Sequence, residues 1–142
     1  MTQTILEPHI LVSMTYVSRA NPDMSDKELS EILRQAQQNN AANGITGMLV
    51  FNRHYFLQTV EGSRAQISQL LHSLLADERH HDLQLLETRE LKYREWSKWS
   101  MNFVSPTTEN AALYLKYSTT VDFNPYFLSA ESIRGLMTEL NH

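Results

Sequence analysis

The 142-residue sequence contains no cysteine. That excludes disulfides, zinc–thiolate centres, thiol nucleophiles and any cysteinyl cofactor adduct. Glycine is scarce: Gly44, Gly47, Gly62 and Gly135 are the only four, and they build neither a phosphate-binding loop nor a dinucleotide fingerprint. G-x-S-x-G and H-E-x-x-H are missing as well. Basic residues number 12 against 16 acidic ones, for a formal charge of −4. They are scattered, whereas a duplex-binding surface needs a clustered basic face, so no nucleic-acid partner is expected. No apolar run approaches the roughly 20 residues that span a bilayer, and "MTQTILEPH" lacks the basic and apolar regions of a signal peptide. No membrane association and a cytoplasmic location are therefore expected. What remains, 42% hydrophobic and 20% charged residues, suits a globular domain with a real core.

Periodicity orders that core. "HILVSMTYVS" (9–18) alternates as a strand apolar on both faces, with Ile10, Val12, Met14 and Tyr16 on one of them, which places it centrally in a sheet. "SDKELSEILRQAQQNN" (25–40) reads as a helix: Ser25 and Glu28 suit a capping box, and Leu29, Ile32, Leu33 and Ala36 make one apolar stripe. "ITGMLVF" and "YFLQTVE" are strands joined at Asn52-Arg53-His54. Ser63 and Gln66 suit a second capping box, and Ile67, Leu70, Leu71, Leu74 and Leu75 stripe a helix over 64–78. "LQLLETREL" (83–91) and "WSMNFV" (99–104) read as further strands, the latter with Trp99, Met101 and Phe103 on one face. The order βαββαββ predicts an α+β, ferredoxin-like sandwich, a five-stranded, mainly antiparallel sheet with two helices on one face. Pro106 and Thr107 mark a boundary between a domain at 1–104 and an extension at 105–142. The extension carries a short helix near 108–117 and an amphipathic one near 130–141, and is expected to pack on the open sheet face or on another chain.

"DERHH" (77–81) invites a metal site. Adjacent histidines on an irregular helix exit seldom converge on one ion, and Arg and His near a helix C-terminus suit its dipole, so no metal is expected. Gln58 in "FLQTVEG" is harder to dismiss. Extended backbone puts it between Phe56 and Val60 on a helix-covered face, where an unpaired amide costs roughly 1–3 kcal/mol. If the apolar faces of these elements coincide, Tyr16, Asn39, Asn40, Trp99 and Met101 converge with it under the two helices. Each alone reads as packing or capping; Gln58 requires a partner.

"LVSMTYVSRA", "QQNNAANGITGMLVF", "FLQTVEG", "DERHH" and "WSKWSMNFV" together resemble the BLUF family of blue-light sensors using flavin, in order and spacing, over about residues 9–104. "LYLKYSTTVDFNP" and the amphipathic end are similar to the C-terminal cap of short, stand-alone members. The resemblance implies a non-covalently bound flavin, normally FAD with FMN or riboflavin as alternatives, between the two helices. It implies that Asn40 bonds the pyrimidine edge of the ring with Asn39 beside it, that Tyr16 and Gln58 are the photoactive pair, and that Arg79 and His80 lie near the flavin's polar parts. Trp99 and Met101 would couple the pocket to the last strand, Met101 also touching the flavin. It implies no catalysis, a homo-oligomer and an unidentified downstream signalling protein, reached through altered contacts of residues 105–142. One departure is Ala36, where many members carry Ser, which removes a hydroxyl partner for Gln58 or Trp99. Two competing readings stand beside this one: an acylphosphatase-like hydrolase using Arg19 or Arg79 with Asn39 or Asn40, and a light-insensitive regulatory module of the same fold.

Overall fold

A computed structural model describes residues 10–104 and 111–141. Pro106, Thr107 and the expected start of the short helix near 108 lie outside the described residues. Strand β1 (Leu11–Ala20) leads into helix α1 (Asp26–Ala42), then β2 (Thr46–Phe51), β3 (Tyr55–Ser63), α2 (Arg64–Ala76), β4 (His80–Glu90) and β5 (Trp99–Phe103). Helix α3 (Ala111–Tyr117), a 3-10 turn (Pro125–Phe127) and α4 (Ala130–Leu140) follow. The sheet order is β4-β1-β3-β2-β5. All neighbours are antiparallel except β5, which runs parallel to β2. This is the ferredoxin-like arrangement expected from the sequence, with a fifth strand added at one edge.

Local chemistry sets the boundaries. Both halves of the capping box at α1 form: the Ser25 hydroxyl accepts from the Glu28 amide at 3.1 Å and the Glu28 carboxylate accepts from the Ser25 amide at 3.0 Å. At α2 the Ser63 hydroxyl accepts from the Gln66 amide at 3.2 Å. Between β2 and β3 the Asn52 side chain accepts from the amides of His54 and Tyr55, both at 2.8 Å, which closes the turn without a glycine. Glycine is required a little earlier. Gly47 has φ +140°, and a Cβ there would lie 2.0 Å from the Thr59 carbonyl oxygen, so no other residue lets β2 approach β3 this closely.

The two sheet faces carry separate cores. On one, α1 packs through Leu29, Ile32 and Leu33 against Leu49, Phe51 and Phe56, and α2 packs through Ile67, Leu70, Leu71 and Leu74 against Met14, Tyr16 and Val60. On the other, Val17, Met48, Val50 and Leu57 meet Tyr114 of α3, Phe123 and Leu128, and Ile133, Leu136 and Met137 of α4. Ile133 and Leu136 are each 1% exposed, and burying such side chains stabilises by about 1.5–3 kcal/mol apiece. The C-terminal segment thus completes a core rather than trailing from one.

Candidate functional site

The first face holds a cavity of about 420 Å³ between α1 and α2, within the usual range for a small-molecule site. Its walls are apolar where Ile32, Leu49, Phe56, Leu70 and Leu74 line it, and Ala36 adds no polar atom. Into these walls the fold sets Tyr16, Asn39, Asn40, Gln58, Arg79 and His80. A larger groove, about 880 Å³, runs between α4 and the opposite face over Ser13, Thr15 and Thr59. Much of its charged rim is already paired: Glu87 with Arg89 and Arg134, Glu95 with Arg89, and Glu139 with Lys116. The smaller, apolar cavity with convergent polar groups is the better site on chemical grounds.

Register explains why Gln58 meets what it meets. In the antiparallel β1–β3 ladder Tyr16 lies directly opposite Gln58. Leu49 faces Gln58 from the other side and in turn faces Met101, so Tyr16, Gln58, Leu49 and Met101 form a row across four strands. Gln58 is 3% exposed and is bonded at both ends. Its Nε2 donates to the Tyr16 hydroxyl oxygen at 2.6 Å, and its Oε1 accepts from Trp99 Nε1–H at 2.9 Å. An indole N–H only donates, so Trp99 orients the amide with its oxygen toward β5 and its nitrogen toward β1. Burial pushes the Tyr16 phenol well above its ordinary pKa, opposed by the Gln58 bond and reinforced by Asp77. The phenol therefore stays protonated at neutral pH.

Asn40, at the end of α1, is 1% exposed, and its Nδ2 has no hydrogen-bond partner among the described residues. A buried donor left unpaired costs about 1–3 kcal/mol. Asn39 is exposed at the cavity's margin. Arg79 is held by Asp77, through Nε at 2.9 Å and Nη2 at 2.8 Å, and donates from Nη2 to Gln35 of α1 at 3.0 Å. The paired carboxylate raises the Arg79 pKa further, and the guanidinium lowers that of Asp77. His80 is tied by Nδ1 to the Ser18 hydroxyl at 2.8 Å and by Nε2 to the Leu74 carbonyl at 2.7 Å. His81 bonds Asn21 instead, so the two histidines turn to different partners. Met101 stands apart from the cavity lining: it is 39% exposed on the edge strand. Arg19 is also elsewhere, paired with Asp82 at 3.2 Å and stacked 4.1 Å from the Tyr126 ring.

Two acidic groups escaped the sequence reading. Asp77 lines the cavity; the signal was its place two residues before Arg79, where its side chain also accepts the Arg79 amide at 3.0 Å. Glu61, three residues after Gln58, is fully buried on the opposite face. Its carboxylate accepts from the amides of Glu95, at 3.0 and 3.1 Å, and of Trp96, at 3.0 Å. Arg94 reaches back to the Gly44 carbonyl, the Thr46 hydroxyl and the Glu61 carbonyl at 2.7, 2.7 and 3.0 Å. The segment before β5 is thereby bolted to "GIT" and "VEG", which fixes where Trp99 enters the sheet.

Comparison with known proteins agrees with this geometry. The family model described as sensors of blue light using FAD matches residues 11–102. The beta subunit of a photoactivated adenylate cyclase from Euglena gracilis is 34% identical over 105 residues, 73% of this chain but 12% of that protein. A blue light- and temperature-regulated antirepressor of Escherichia coli (strain K12) is 28% identical over 74 residues, 52% of this chain and 18% of that protein. This chain thus spans a small part of those curated relatives. Among solved structures, BlsA in its photo-activated state superposes with a TM-score of 0.79 at 28% identity, covering 92% of this chain and 94% of that one. The dark state of BlrB gives 0.66 at 33% identity, covering 76% and 81%.

Proposed function

The chain belongs to the BLUF family, sensors of blue light using FAD, and from that membership we propose how its own residues bind the flavin and carry the light signal. The observation that carries the reading is Gln58, a buried amide bonded to Tyr16 on one side and Trp99 on the other in the wall of a ring-sized cavity. The residues present fit the cofactor. Asn40 Nδ2 is a buried donor without an acceptor among the described residues, which a flavin carbonyl would supply; Leu49, Phe56 and Ile32 offer apolar walls to a ring; Asn39, Arg79 and His80 line the rest.

A flavin held there would supply, on excitation, an oxidant able to take one electron from a nearby donor. Tyr16 is the buried phenol at hand. Once it gives up an electron its O–H becomes far more acidic, and the proton needs an acceptor within reach. Gln58 presents Tyr16 with an N–H group, so it takes up and relays that proton only if the amide rotates end for end. Its oxygen then faces Tyr16, and Trp99 N–H loses its acceptor. Gln58 is thus a two-position part whose turning releases β5 at Trp99, and the two positions differ in what they offer the flavin. This favours a sensor over an acylphosphatase-like hydrolase, because Arg19 and Arg79 are committed to Asp82 and Asp77 on separate elements. Tyr16→Phe removes the donor phenol and is expected to leave a yellow, flavin-loaded protein without a reversible red shift under blue light. A normal shift in that variant contradicts the assignment, and a colourless wild-type protein that takes up no flavin overturns the whole reading.

We further assign the output to the C-terminal segment beyond residue 104, acting on a second copy or a downstream signalling protein, with no catalysis of the chain's own. Support comes from Val104, which follows β5 directly and belongs to the same core as Ile133, Leu136 and Met137. A population shift between two packings of that core is the physical form. Hydrogen exchange read separately over 111–140 in darkness and under illumination is expected to rise several-fold in the light, and identical exchange in both would refute it.

A further inference from the structure

A methionine thioether is oxidised where solvent reaches it and protected where it is packed. Met14, Met24, Met48 and Met137 are each at most 5% exposed, whereas Met101 is 39% exposed. Among the described methionines it alone is open to solvent. Topology explains the difference: β5 is an edge strand, so among the described residues Met101 has Leu49 of β2 on one side and no strand on the other. Leu49 in turn lines the cavity and faces Gln58. Trp99 shares the face of Met101, two residues earlier and roughly 7 Å along the strand, and donates its Nε1–H to Gln58. A thioether sulfur accepts hydrogen bonds weakly, whereas a sulfoxide carries a polar oxygen. We propose that Met101 is a peroxide-reactive modification site, and that its sulfoxide accepts the Trp99 N–H once Gln58 lets it go, so that oxidation prolongs the light signal.

The Met101 sulfur gives an electron pair to one oxygen of hydrogen peroxide. An S–O bond forms, the O–O bond breaks, and the departing hydroxide takes the proton from the transferred oxygen and leaves as water. Only the effect on the light cycle rests on the photosensor reading; the oxidation does not. The full chain is treated with dilute hydrogen peroxide in darkness and cleaved after lysine and arginine. Met101 then lies in the fragment 99–116, while Met24, Met48 and Met137 lie in other fragments. Mass spectrometry is expected to find one oxygen added at Met101 about tenfold faster than at those three. Dark recovery of the oxidised, flavin-loaded chain should slow about fivefold, the worth of one ordinary hydrogen bond, and return to its starting rate after methionine sulfoxide reductase. Met101→Leu, compared with its own untreated sample, should recover at the same rate before and after peroxide. Oxidation that is equally fast at Met24, Met48 or Met137 overturns the proposal, as does recovery unchanged by Met101 oxidation or slowed equally in Met101→Leu. A chain that binds no flavin ends the photosensor reading and the effect on recovery with it, and the mapped oxidation still decides whether Met101 is the reactive site.

Discussion

Replacing Gln58 by Leu is expected to abolish the reversible red shift under blue light while the protein stays folded and yellow. Leucine has nearly the volume of glutamine and suits its neighbours on the face, Phe56 and Val60, which are 4% and 0% exposed. The flavin-facing shape of the cavity is therefore kept. What goes is the group that bonds Tyr16 and Trp99 at once, at 2.6 and 2.9 Å. Without an amide no proton acceptor can turn toward Tyr16, and Trp99 has nothing to be released from. The stability cost is bounded on the same grounds. Tyr16 is left as a buried hydroxyl, at about 1–3 kcal/mol, partly offset by the apolar side chain, whereas the half-exposed Trp99 finds water. Absorption spectra before and after illumination, paired with a thermal melt, separate the two effects. A full red shift in Gln58→Leu would mean that the amide is packing and not a relay.

Removing the Glu61 carboxylate should produce the largest loss of stability among single changes near the site. Glu61→Ala deletes acceptors from the amides of Glu95 and Trp96, which the side chain holds at 3.0–3.1 Å. Each amide left without its acceptor costs about 1–3 kcal/mol, so the expected cost for the two is roughly 2–6 kcal/mol, a large part of a domain's total. Glu61→Gln retains one accepting oxygen but points an N–H₂ at donors, and should cost about 1–3 kcal/mol. Denaturant midpoints measure both. The loop these amides belong to delivers Trp99 to Gln58, so the surviving folded fraction should also show a disturbed dark spectrum. A loss below about 1 kcal/mol in Glu61→Ala would show that the loop holds its place without the carboxylate.

Sequence and structure agree best where a signal is local and repeated. The stripe of α1 with its Ser25–Glu28 box and the alternation along β1 and β3 are each written within a few consecutive residues, and the fold class follows from their order. The Gln58 partner problem was legible for the same reason: one polar letter broke a period. Beyond that the sequence is less explicit. Strand β4 begins at His80, not residue 83, because its pairing with β1 shifts register near Val17 and Arg19 and Asp82 takes φ 54°. Such an irregular, polar strand end carries no alternation to read. Met101 has the right parity to join Trp99, but parity does not reveal that β5 is an edge strand, where a side chain on the covered face still meets solvent. Glu61 was invisible as a structural anchor because its partners are main-chain amides of Glu95 and Trp96, and backbone donors leave no mark in the order of side chains.

The row of Tyr16, Gln58, Leu49 and Met101 bears on how far a message has to travel. Gln58 lies on β3, and β5 is two strands away, about 10 Å at the usual strand spacing. Each step along the proposed route is between immediate neighbours, so on that proposal the event and its exit from the sheet lie within one layer of side chains. Long relays accumulate slack at each joint. A relay this short has almost none to accumulate, and its fidelity depends on the fit of a handful of residues rather than on the stiffness of the whole molecule.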